Sequence, residues 1–237
     1  ACVSKLKAVF FDLDDTLYTS FQAGDRRAYE CLEAWAQQTF GEAGRGFDAA
    51  FLAARKQLAA EQPDMPPIHD RVLFAQRALE NMGLNPILHA RKAAAIYWDA
   101  VFSQMTVRQG APEFLDQLRG RGIKVAVVTN MLADIQMEKL VRLGLAERVD
   151  FLVTSEEAGI DKPQRAIFDL AMRKCGVQPD EALMVGDNFA HDVGGAHGAD
   201  ISGIWLNWTH KERPVCDFAF DEAHDFREVT EHIRALF

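Results

Sequence analysis

The sequence lacks any long apolar run. Nowhere does it approach the ~18 apolar residues that a membrane-spanning helix needs, so no membrane partner is predicted. Near the N-terminus, Lys5 and Lys7 interrupt the apolar stretch that a secretory signal requires. Cysteine is scarce, and its positions show neither paired nor metal-binding spacing: Cys2, Cys31, Cys175 and Cys216. Isolated thiols are typical of a reducing compartment, so we expect a cytoplasmic protein.

Positive charge is also in deficit. The 26 lysines and arginines stand against 35 aspartates and glutamates, which gives a formal net charge of −9. No basic cluster offsets this balance, so a nucleic-acid polymer is not an expected partner. Hydrophobic residues make up 49 % of the 237 positions, which is ordinary for a soluble globular protein. The sequence makes no prediction about oligomeric state.

The chain changes character along its length. From about residue 20 to residue 105, helical periodicity prevails without any β-branched run. Elsewhere, helical segments alternate with apolar runs of strand length, which are Ala8–Leu13, Lys124–Thr129, Phe151–Thr154, Ala182–Gly186 and Ile201–Leu206. This alternation predicts an α/β core with a parallel sheet and helices on both faces. We expect the core to comprise residues 1–17 and 106–237, with residues 18–105 forming an inserted helical cap.

Three carboxylates follow the first predicted strand. The stretch AVFFDLDDTLY, residues 8–18, runs from four apolar residues into Asp12, Asp14 and Asp15. Like charges at ~4 Å repel by roughly 4 kcal/mol at an effective dielectric of 20, so such a cluster calls for a nearby cation. Ligands of open parallel sheets bind outside the carboxyl ends of the strands. The cluster therefore marks the predicted functional edge of the sheet.

The later strands add polar side chains to the same edge. These are Thr129, Asn130, Lys162, Asp187 and Asp192. Pro163 is expected to begin a helix, because proline is favoured in the first helical turn, and this places Lys162 in the loop before it. Four carboxylates, with Asp12 and Asp14 included, then face one lysine. Mg²⁺ is a hard cation held by a few carboxylates, waters and substrate phosphate, so the pattern predicts a magnesium site.

Four segments carry a family resemblance. FFDLDDTLY, VVTN, DKPQRAIF and VGDNFAHD occur in this order, each in its strand context, between residue 8 and about residue 207. The sequence resembles the haloacid dehalogenase superfamily, in its phosphatase branch with a helical cap inserted after the first strand. DKPQRAIF, VGDNFAHDVGGA and the WLN ending of the fifth strand also resemble segments of capped nucleotidases and N-acylneuraminate-9-phosphatases. The resemblance implies a Rossmann-like core and Mg²⁺-dependent hydrolysis of a small-molecule phosphate ester.

The resemblance also implies roles for the four aspartates. Asp12 would be the nucleophile that forms an aspartyl-phosphate, and Asp14 would protonate the leaving alcohol and then activate water. The metal would be held by the Asp12 carboxylate, the Asp14 backbone carbonyl and Asp187, with Asp192 in an outer position. Neighbouring carboxylates and burial raise the pKa of Asp14, whereas Lys162 and the metal lower it. The sequence leaves the net direction open.

The remaining roles concern the phosphoryl group. Thr129 and the backbone amide of Asn130 would bind its oxygens, and Lys162 would neutralise both the nucleophile and the transferring group. Asp14 distinguishes the phosphatases of the family from its dehalogenases, because true haloacid dehalogenases lack a carboxylate two residues after the nucleophile. Phosphate-ester hydrolysis is therefore favoured over carbon–halogen cleavage.

Two other functions fit parts of the pattern. A phospho-acceptor signalling module of the response-regulator kind also places an acidic cluster, a hydroxyl and a lysine at parallel strand ends, but it needs no helical insertion. A phosphoryl mutase shares the same core. The substrate stays open among nucleoside monophosphates, sugar phosphates, sialic-acid phosphates and flavin mononucleotide.

Overall fold

The computed structural model describes residues 6–234 of the chain. The chain divides into two compact units, a core formed by Ala1–Thr19 with Val107–Phe237 and a helical unit formed by Ser20–Thr106. Among the described residues, no helix is both long enough and apolar enough to cross a lipid bilayer. The cytoplasmic location and the role of the helical unit as a cap stay predictions.

The core contains a six-stranded, wholly parallel sheet. The described residues contain eight strands, of which six belong to this sheet. In chain order they are β1 (Ala8–Phe11), β2 (Tyr18–Thr19), β3 (Thr106–Val107), β4 (Lys124–Thr129), β5 (Phe151–Thr154), β6 (Ala182–Gly186), β7 (Ser202–Leu206) and β8 (Asp221–Ala223). The sheet order is β5-β4-β1-β6-β7-β8, while β2 and β3 form a separate pair. Phe11 at the end of β1 lies opposite Val127 of β4 and Val185 of β6. The carboxyl ends of the central strands therefore meet at one edge.

Ten α-helices accompany these strands in the described residues. They are α1 (Phe21–Phe40), α2 (Phe47–Glu61), α3 (Arg71–Asn81), α4 (Pro86–Gln104), α5 (Ala111–Gly120), α6 (Ala133–Arg142), α7 (Ser155–Ala158), α8 (Arg165–Cys175), α9 (Gly195–Gly198) and α10 (Phe226–Arg234). The first four lie in the helical unit and the other six in the core.

Helices cover both faces of the sheet, as predicted. Successive side chains of a strand point to opposite faces. Phe10 joins a buried cluster with Ile167 and Phe168 of α8. Phe11 instead contacts Phe114 of α5 and Phe226 of α10, at ring-centroid distances of 6.0 and 6.4 Å. The two neighbouring phenylalanines of β1 thus anchor the two layers of helices.

The helical unit has an aromatic core of its own. Phe51 of α2 stacks on Tyr97 of α4, with ring centroids 5.7 Å apart, and Tyr97 also meets Trp98 edge to face. Gly24 of α1 lies so close to Val101 of α4 that an added Cβ would sit 2.9 Å from the Val101 Cα. The glycine therefore sets the close approach of the first and last helices.

Several sequence predictions agree with the observed bounds and others do not. The predicted bounds of β4, β5 and β6 are confirmed residue for residue. Pro163 does not begin a helix: it precedes the N-cap Gln164, and the Lys162–Pro163 peptide bond is cis. The segment after β6 forms a π-helix, Phe189–Gly194, which is continued by α9. Cys31, Cys175 and Cys216 are free thiols, and Cys2 lies outside the described residues.

The contacts of Phe226 generate a stability prediction. We expect Phe226→Ala to lower the free energy of unfolding by about 3–5 kcal/mol, because the ring is 2 % exposed and its loss leaves a cavity beside Phe11 and Phe114. The measurement is urea unfolding followed by circular dichroism. Val215 is 104 % exposed, so Val215→Ala is the control and should change stability by less than about 0.5 kcal/mol. Equal effects of the two substitutions would contradict this account of the core.

Candidate active site

A buried lysine joins two of the predicted aspartates. The Lys162 Nζ lies 2.8 Å from Asp12 Oδ1 and 2.6 Å from Asp192 Oδ1. Lys162 is 2 % exposed and Asp192 is fully buried, whereas the Asp12 side chain keeps 12 % of its surface exposed. Asp12 follows β1, and Asp192 lies on the segment after β6. The ammonium group therefore links the ends of two neighbouring strands.

Backbone and amide contacts hold Lys162 in this position. The Asn130 side chain pairs with the backbone of Lys162 in both directions: its Nδ2 donates to the Lys162 carbonyl at 3.0 Å, and its Oδ1 accepts from the Lys162 N–H at 2.7 Å. Asn130 directly follows β4, so this pair fastens the loop after β5 to the end of β4. The sequence assigned only a backbone role to Asn130, and its side chain therefore has a positioning role that sequence reasoning missed.

Asp187 is held at the end of β6 by Thr16 and Trp205. The Thr16 hydroxyl donates to Asp187 Oδ1 at 3.2 Å and accepts from the Asp187 N–H at 3.0 Å. The Trp205 indole N–H donates to the Asp187 carbonyl at 2.9 Å. Carboxylate oxygens of Asp12, Asp187 and Asp192 all lie within 4.8 Å of one another. The structure thus brings these three aspartates and Lys162 together.

Asp14 turns toward a second buried lysine. Lys139 of α6, with no exposed surface, places its Nζ 2.5 Å from Asp14 Oδ1. The Tyr18 hydroxyl donates to the same oxygen, and Gln136 Nε2 donates to Asp14 Oδ2 at 3.1 Å. The same amide donates to Thr129 Oγ1 at 2.7 Å. The sequence-based picture of four carboxylates against one lysine is therefore wrong.

Burial and charge set the protonation of these groups. Burial and the neighbouring Asp192 and Asp15 raise the pKa of Asp187 to about 7. Burial, with the other carboxylates of the site, also raises the pKa of Asp12 well above its ordinary value. Burial opposes the charge of Lys162, but Asp12 and Asp192 outweigh it and raise the pKa of the ammonium group.

Asp14 shifts in the opposite direction. Burial favours its protonated form, but the charge of Lys139 and hydrogen bonds from Lys139, Tyr18 and Gln136 outweigh burial and lower the pKa of Asp14. Asp14 is therefore an ionised carboxylate in this state, and it is suited to accept a proton. This settles the direction that the sequence left open.

The residues fit a divalent cation by charge and by available donors. When all four carboxylates are ionised, they exceed the ammonium groups of Lys162 and Lys139 by two negative charges. Within the described residues, Lys162 and the Asn188 N–H bind the two oxygens of Asp192. The hydrogen bonds of the same residues engage one oxygen each of Asp12 and Asp187. Each of these two side chains therefore keeps an oxygen available, which suits a hard cation such as Mg²⁺.

Sequence reasoning missed the contribution of α6. Gln136 and Lys139 are buried on this helix, while Met137 is 55 % and Val141 63 % exposed. A lysine on a helix is ordinarily exposed to solvent, so the sequence pattern alone predicts that Lys139 lies on the exposed face of α6 and Met137 and Val141 on the buried face. The signal available in the sequence was the position of Gln136 and Lys139 three residues apart, on the same helical face as Leu140.

An arginine next to the site was also missed. Arg108, which follows β3, donates through Nε to the Thr16 carbonyl at 2.7 Å and through Nη2 to the Asp15 carbonyl. Its guanidinium lies 4.7 Å from the centroid of the Trp208 ring. Arg108 therefore fastens the backbone directly after Asp14. Asp15 adopts φ 58° within the turn formed by residues 14–17, and it does not cap a helix.

Comparison with known proteins agrees with this fold. Residues 6–200 match the model of the family described as haloacid dehalogenase-like hydrolase. The chain is 34 % identical over 236 residues to glyceraldehyde 3-phosphate phosphatase of Methanopyrus kandleri, which covers 96 % of this chain and 98 % of that one. It is 32 % identical over 198 residues to ribulose-1,5-bisphosphate 5-phosphatase of Halopiger xanaduensis, with 83 % of each chain covered.

A solved structure shows the same architecture. The 2-haloacid dehalogenase of Pseudomonas syringae pv. Tomato DC3000 superposes with a TM-score of 0.84 at 26 % identity, over 98 % of this chain and 100 % of that one. The chain belongs to the haloacid dehalogenase-like hydrolases, as a phosphatase of that family.

The position of Asp192 generates a prediction at Gly186. An added Cβ at Gly186 would lie 2.1 Å from Asp192 Oδ2 and 2.6 Å from Asp192 Cβ, so the buried carboxylate has no room beside any larger residue. We expect Gly186→Ala to lower the free energy of unfolding by about 1–3 kcal/mol. Gly120, at the end of α5, has no atom within 4 Å of an added Cβ, so Gly120→Ala is the matched control in urea unfolding. An unchanged Gly186→Ala protein would contradict this packing.

The raised pKa of Asp187 generates a pH prediction for metal-free protein. A carboxyl with a folded-state pKa of about 7, against an ordinary 3.8, destabilises the fold as it loses its proton. The destabilisation grows from about pH 4 to about pH 7 and is complete above that. We therefore expect the melting temperature in EDTA to fall between pH 5 and pH 8, and Mg²⁺ to raise it most at pH 8. The Asp187→Asn variant should show a flatter profile; a melting temperature that rises with pH would contradict the assignment.

Proposed function

We propose that this protein is a Mg²⁺-dependent phosphomonoester hydrolase that acts on a small phosphorylated metabolite through an aspartyl-phosphate on Asp12. The observation that carries the proposal is the Lys162 ammonium group between Asp12 and Asp192, with Asp187 beside them. A carboxylate repels a phosphate dianion, so attack requires positive charge at the nucleophile. Lys162 supplies part of that charge to Asp12 from within a buried site.

The residues divide the reaction between them. An oxygen of Asp12 attacks phosphorus. Asp14, which is ionised in the substrate-free protein, takes up a proton as the negatively charged phosphate ester binds beside it, and gives that proton to the leaving alcohol as the P–O bond breaks. Water then attacks the aspartyl-phosphate and gives its proton to Asp14, which returns the site to its starting charge. Thr129, the Asn130 backbone amide and Lys162 stabilise the phosphoryl oxygens as charge develops. Asp14 also supports phosphate transfer over carbon–halogen cleavage, although a dehalogenase shares the fold.

Mg²⁺ would be held by the Asp12 carboxylate, the Asp14 backbone carbonyl and Asp187, with Asp192 in an outer position. When bound, it supplies charge neutralisation and orientation for the phosphoryl oxygens. The two available oxygens of Asp12 and Asp187 support this assignment, as does the engagement of both Asp192 oxygens by other donors.

The substrate class we infer is a phosphorylated sugar. Two phosphatases that match along most of this chain carry names of sugar phosphates. A pyrimidine 5′-nucleotidase of Escherichia coli also matches, at 31 % identity over 87 % of this chain. Nucleoside monophosphates are the comparison class in a test. A panel of both classes, ranked by kcat/KM, should place the sugar phosphates first, and a preference for nucleotides would overturn this part of the proposal.

The reaction itself is tested with p-nitrophenyl phosphate. We expect release of inorganic phosphate that requires Mg²⁺ and stops in EDTA. The Asp12→Asn variant should lose at least about three orders of magnitude in kcat, because no other group accepts the phosphoryl. Asp116→Asn removes a half-exposed carboxylate of α5 and is the matched control that should retain activity.

The outcome also separates the alternative functions. Acid-quenched protein should carry one phosphoryl group on the peptide that contains Asp12. Stable phosphorylation without turnover would favour a signalling module, and a bisphosphorylated product would favour a mutase. Full activity of Asp12→Asn would refute the nucleophile.

A further inference from the structure

Helix α6 presents a buried polar face to the core. Gln136 and Lys139 have no exposed surface, although apolar Met137 and Val141 on the same helix are more than half exposed. Burying polar side chains while exposing apolar ones is unfavourable for a helix that serves only to cover a sheet. The polar face therefore calls for a function that apolar residues cannot perform.

The polar face of α6 makes hydrogen bonds to two site residues, Asp14 and Thr129. Lys139 Nζ binds Asp14 Oδ1 at 2.5 Å and lies 5.8 Å from the centroid of the Tyr18 ring. Gln136 Nε2 binds Asp14 Oδ2 at 3.1 Å and Thr129 Oγ1 at 2.7 Å. Both oxygens of Asp14 are thereby fixed from the same helix.

The Gln136 amide also sets the direction of the Thr129 hydroxyl. Because Nε2 donates to Thr129 Oγ1, the hydroxyl proton of Thr129 is directed to a different acceptor. The Gln136 Oε1 is buried without a hydrogen-bond partner among the described residues. A buried carbonyl oxygen without a hydrogen bond destabilises the fold. The presence of Gln136 despite this cost indicates that its role lies in the two hydrogen bonds that Nε2 donates.

Stability alone does not account for Lys139. A buried ion pair contributes little net stability compared with apolar residues of similar volume, because both charges lose their hydration. The pair does provide a fixed orientation for the carboxylate. Asp14 needs such an orientation, since a misplacement of 1 Å in a reacting group costs about 100-fold in rate.

We propose that Gln136 and Lys139 are positioning residues that fix the Asp14 carboxylate and the Thr129 hydroxyl for the reaction at Asp12. The inference rests on the proposed phosphatase function and extends it to α6. Neither residue touches the reacting atoms in this account. Lys139 acts through Asp14, and Gln136 acts through both Asp14 and Thr129.

A double-mutant cycle tests whether Lys139 acts through Asp14. With p-nitrophenyl phosphate and Mg²⁺, we expect Lys139→Met to lower kcat by about 100-fold, with KM falling alongside it so that kcat/KM changes by less than about 3-fold. In the Asp14→Asn background, the same substitution should lower kcat by less than about 3-fold, because the group that Lys139 positions is already absent. A 100-fold loss in both backgrounds would show independent action and overturn the proposal.

A burst experiment provides a readout that a general structural defect does not produce. p-Nitrophenol needs little help in leaving, so the first step depends little on Asp14, whereas the water step depends on it fully. In rapid mixing, Lys139→Met should therefore release about one equivalent of p-nitrophenol per active enzyme and then turn over slowly. Equal slowing of the burst and the steady state would overturn the positioning role.

Two further variants guard against misfolding. Gln136→Leu removes no charge and keeps the Lys139–Asp14 pair, and it should lower kcat by about 10-fold with an unchanged circular dichroism spectrum. Lys174→Met removes a lysine whose Nζ lies 2.5 Å from Glu157 Oε2 on another part of the core, and it should retain activity within about 2-fold. Full activity of a folded Gln136→Leu protein would overturn the role of Gln136.

The two levels of the proposal fail differently. A wild-type protein that hydrolyses no phosphate ester would refute the phosphatase function and the positioning role with it. An active wild-type enzyme with an additive cycle would refute the positioning role alone.

Discussion

The site depends on one buried ammonium group held between two carboxylates. Moving a lysine out of water costs several kcal/mol unless opposite charges replace its hydration, and here Asp12 and Asp192 do so. The two carboxylates come from neighbouring strand ends, so the sheet must form before the lysine is satisfied. The surrounding features serve this arrangement: Asn130 fixes the lysine backbone, and Gly186 leaves space for Asp192. Removal of Lys162, Asp12 or Asp192 leaves a buried charge without one of its partners.

A second ion pair balances the first and gives Asp14 a different character from Asp12. Asp12 and Asp187 are crowded by like charges, and their pKa values rise. Asp14 faces Lys139, and its pKa falls. The pKa values of Asp12 and Asp14, only two positions apart in the sequence, are therefore shifted in opposite directions by their environments. Under the proposed mechanism both tendencies must reverse when cation and substrate bind, because Asp12 has to be ionised to attack and Asp14 has to be protonated to release the alcohol.

The strands and the residues at their ends follow from the sequence, because apolar runs bounded by polar residues have few alternative structures. β4, β5 and β6 illustrate this, and Thr129, Asp187 and Lys162 were located through them. β8 was missed, since its sequence DEA has no strand character and is stabilised by pairing with β7. Lys139 was missed for a related reason. Its burial depends on a carboxylate 125 residues away, and no local pattern contains that information.

The insertion of the helical unit has a consequence for how the chain is assembled. β1 lies between β4 and β6 in the sheet, so it has no neighbour until Ser20–Thr106 and the following helix have been synthesised. The helices inside the inserted unit are close in sequence and form their contacts early, whereas pairs such as Phe11 with Val127 are distant and form late. A nascent chain therefore carries an apolar strand without partners while its second unit folds. We expect the chain to be most exposed to aggregation during that interval, with β1 among the last strands to reach its final place.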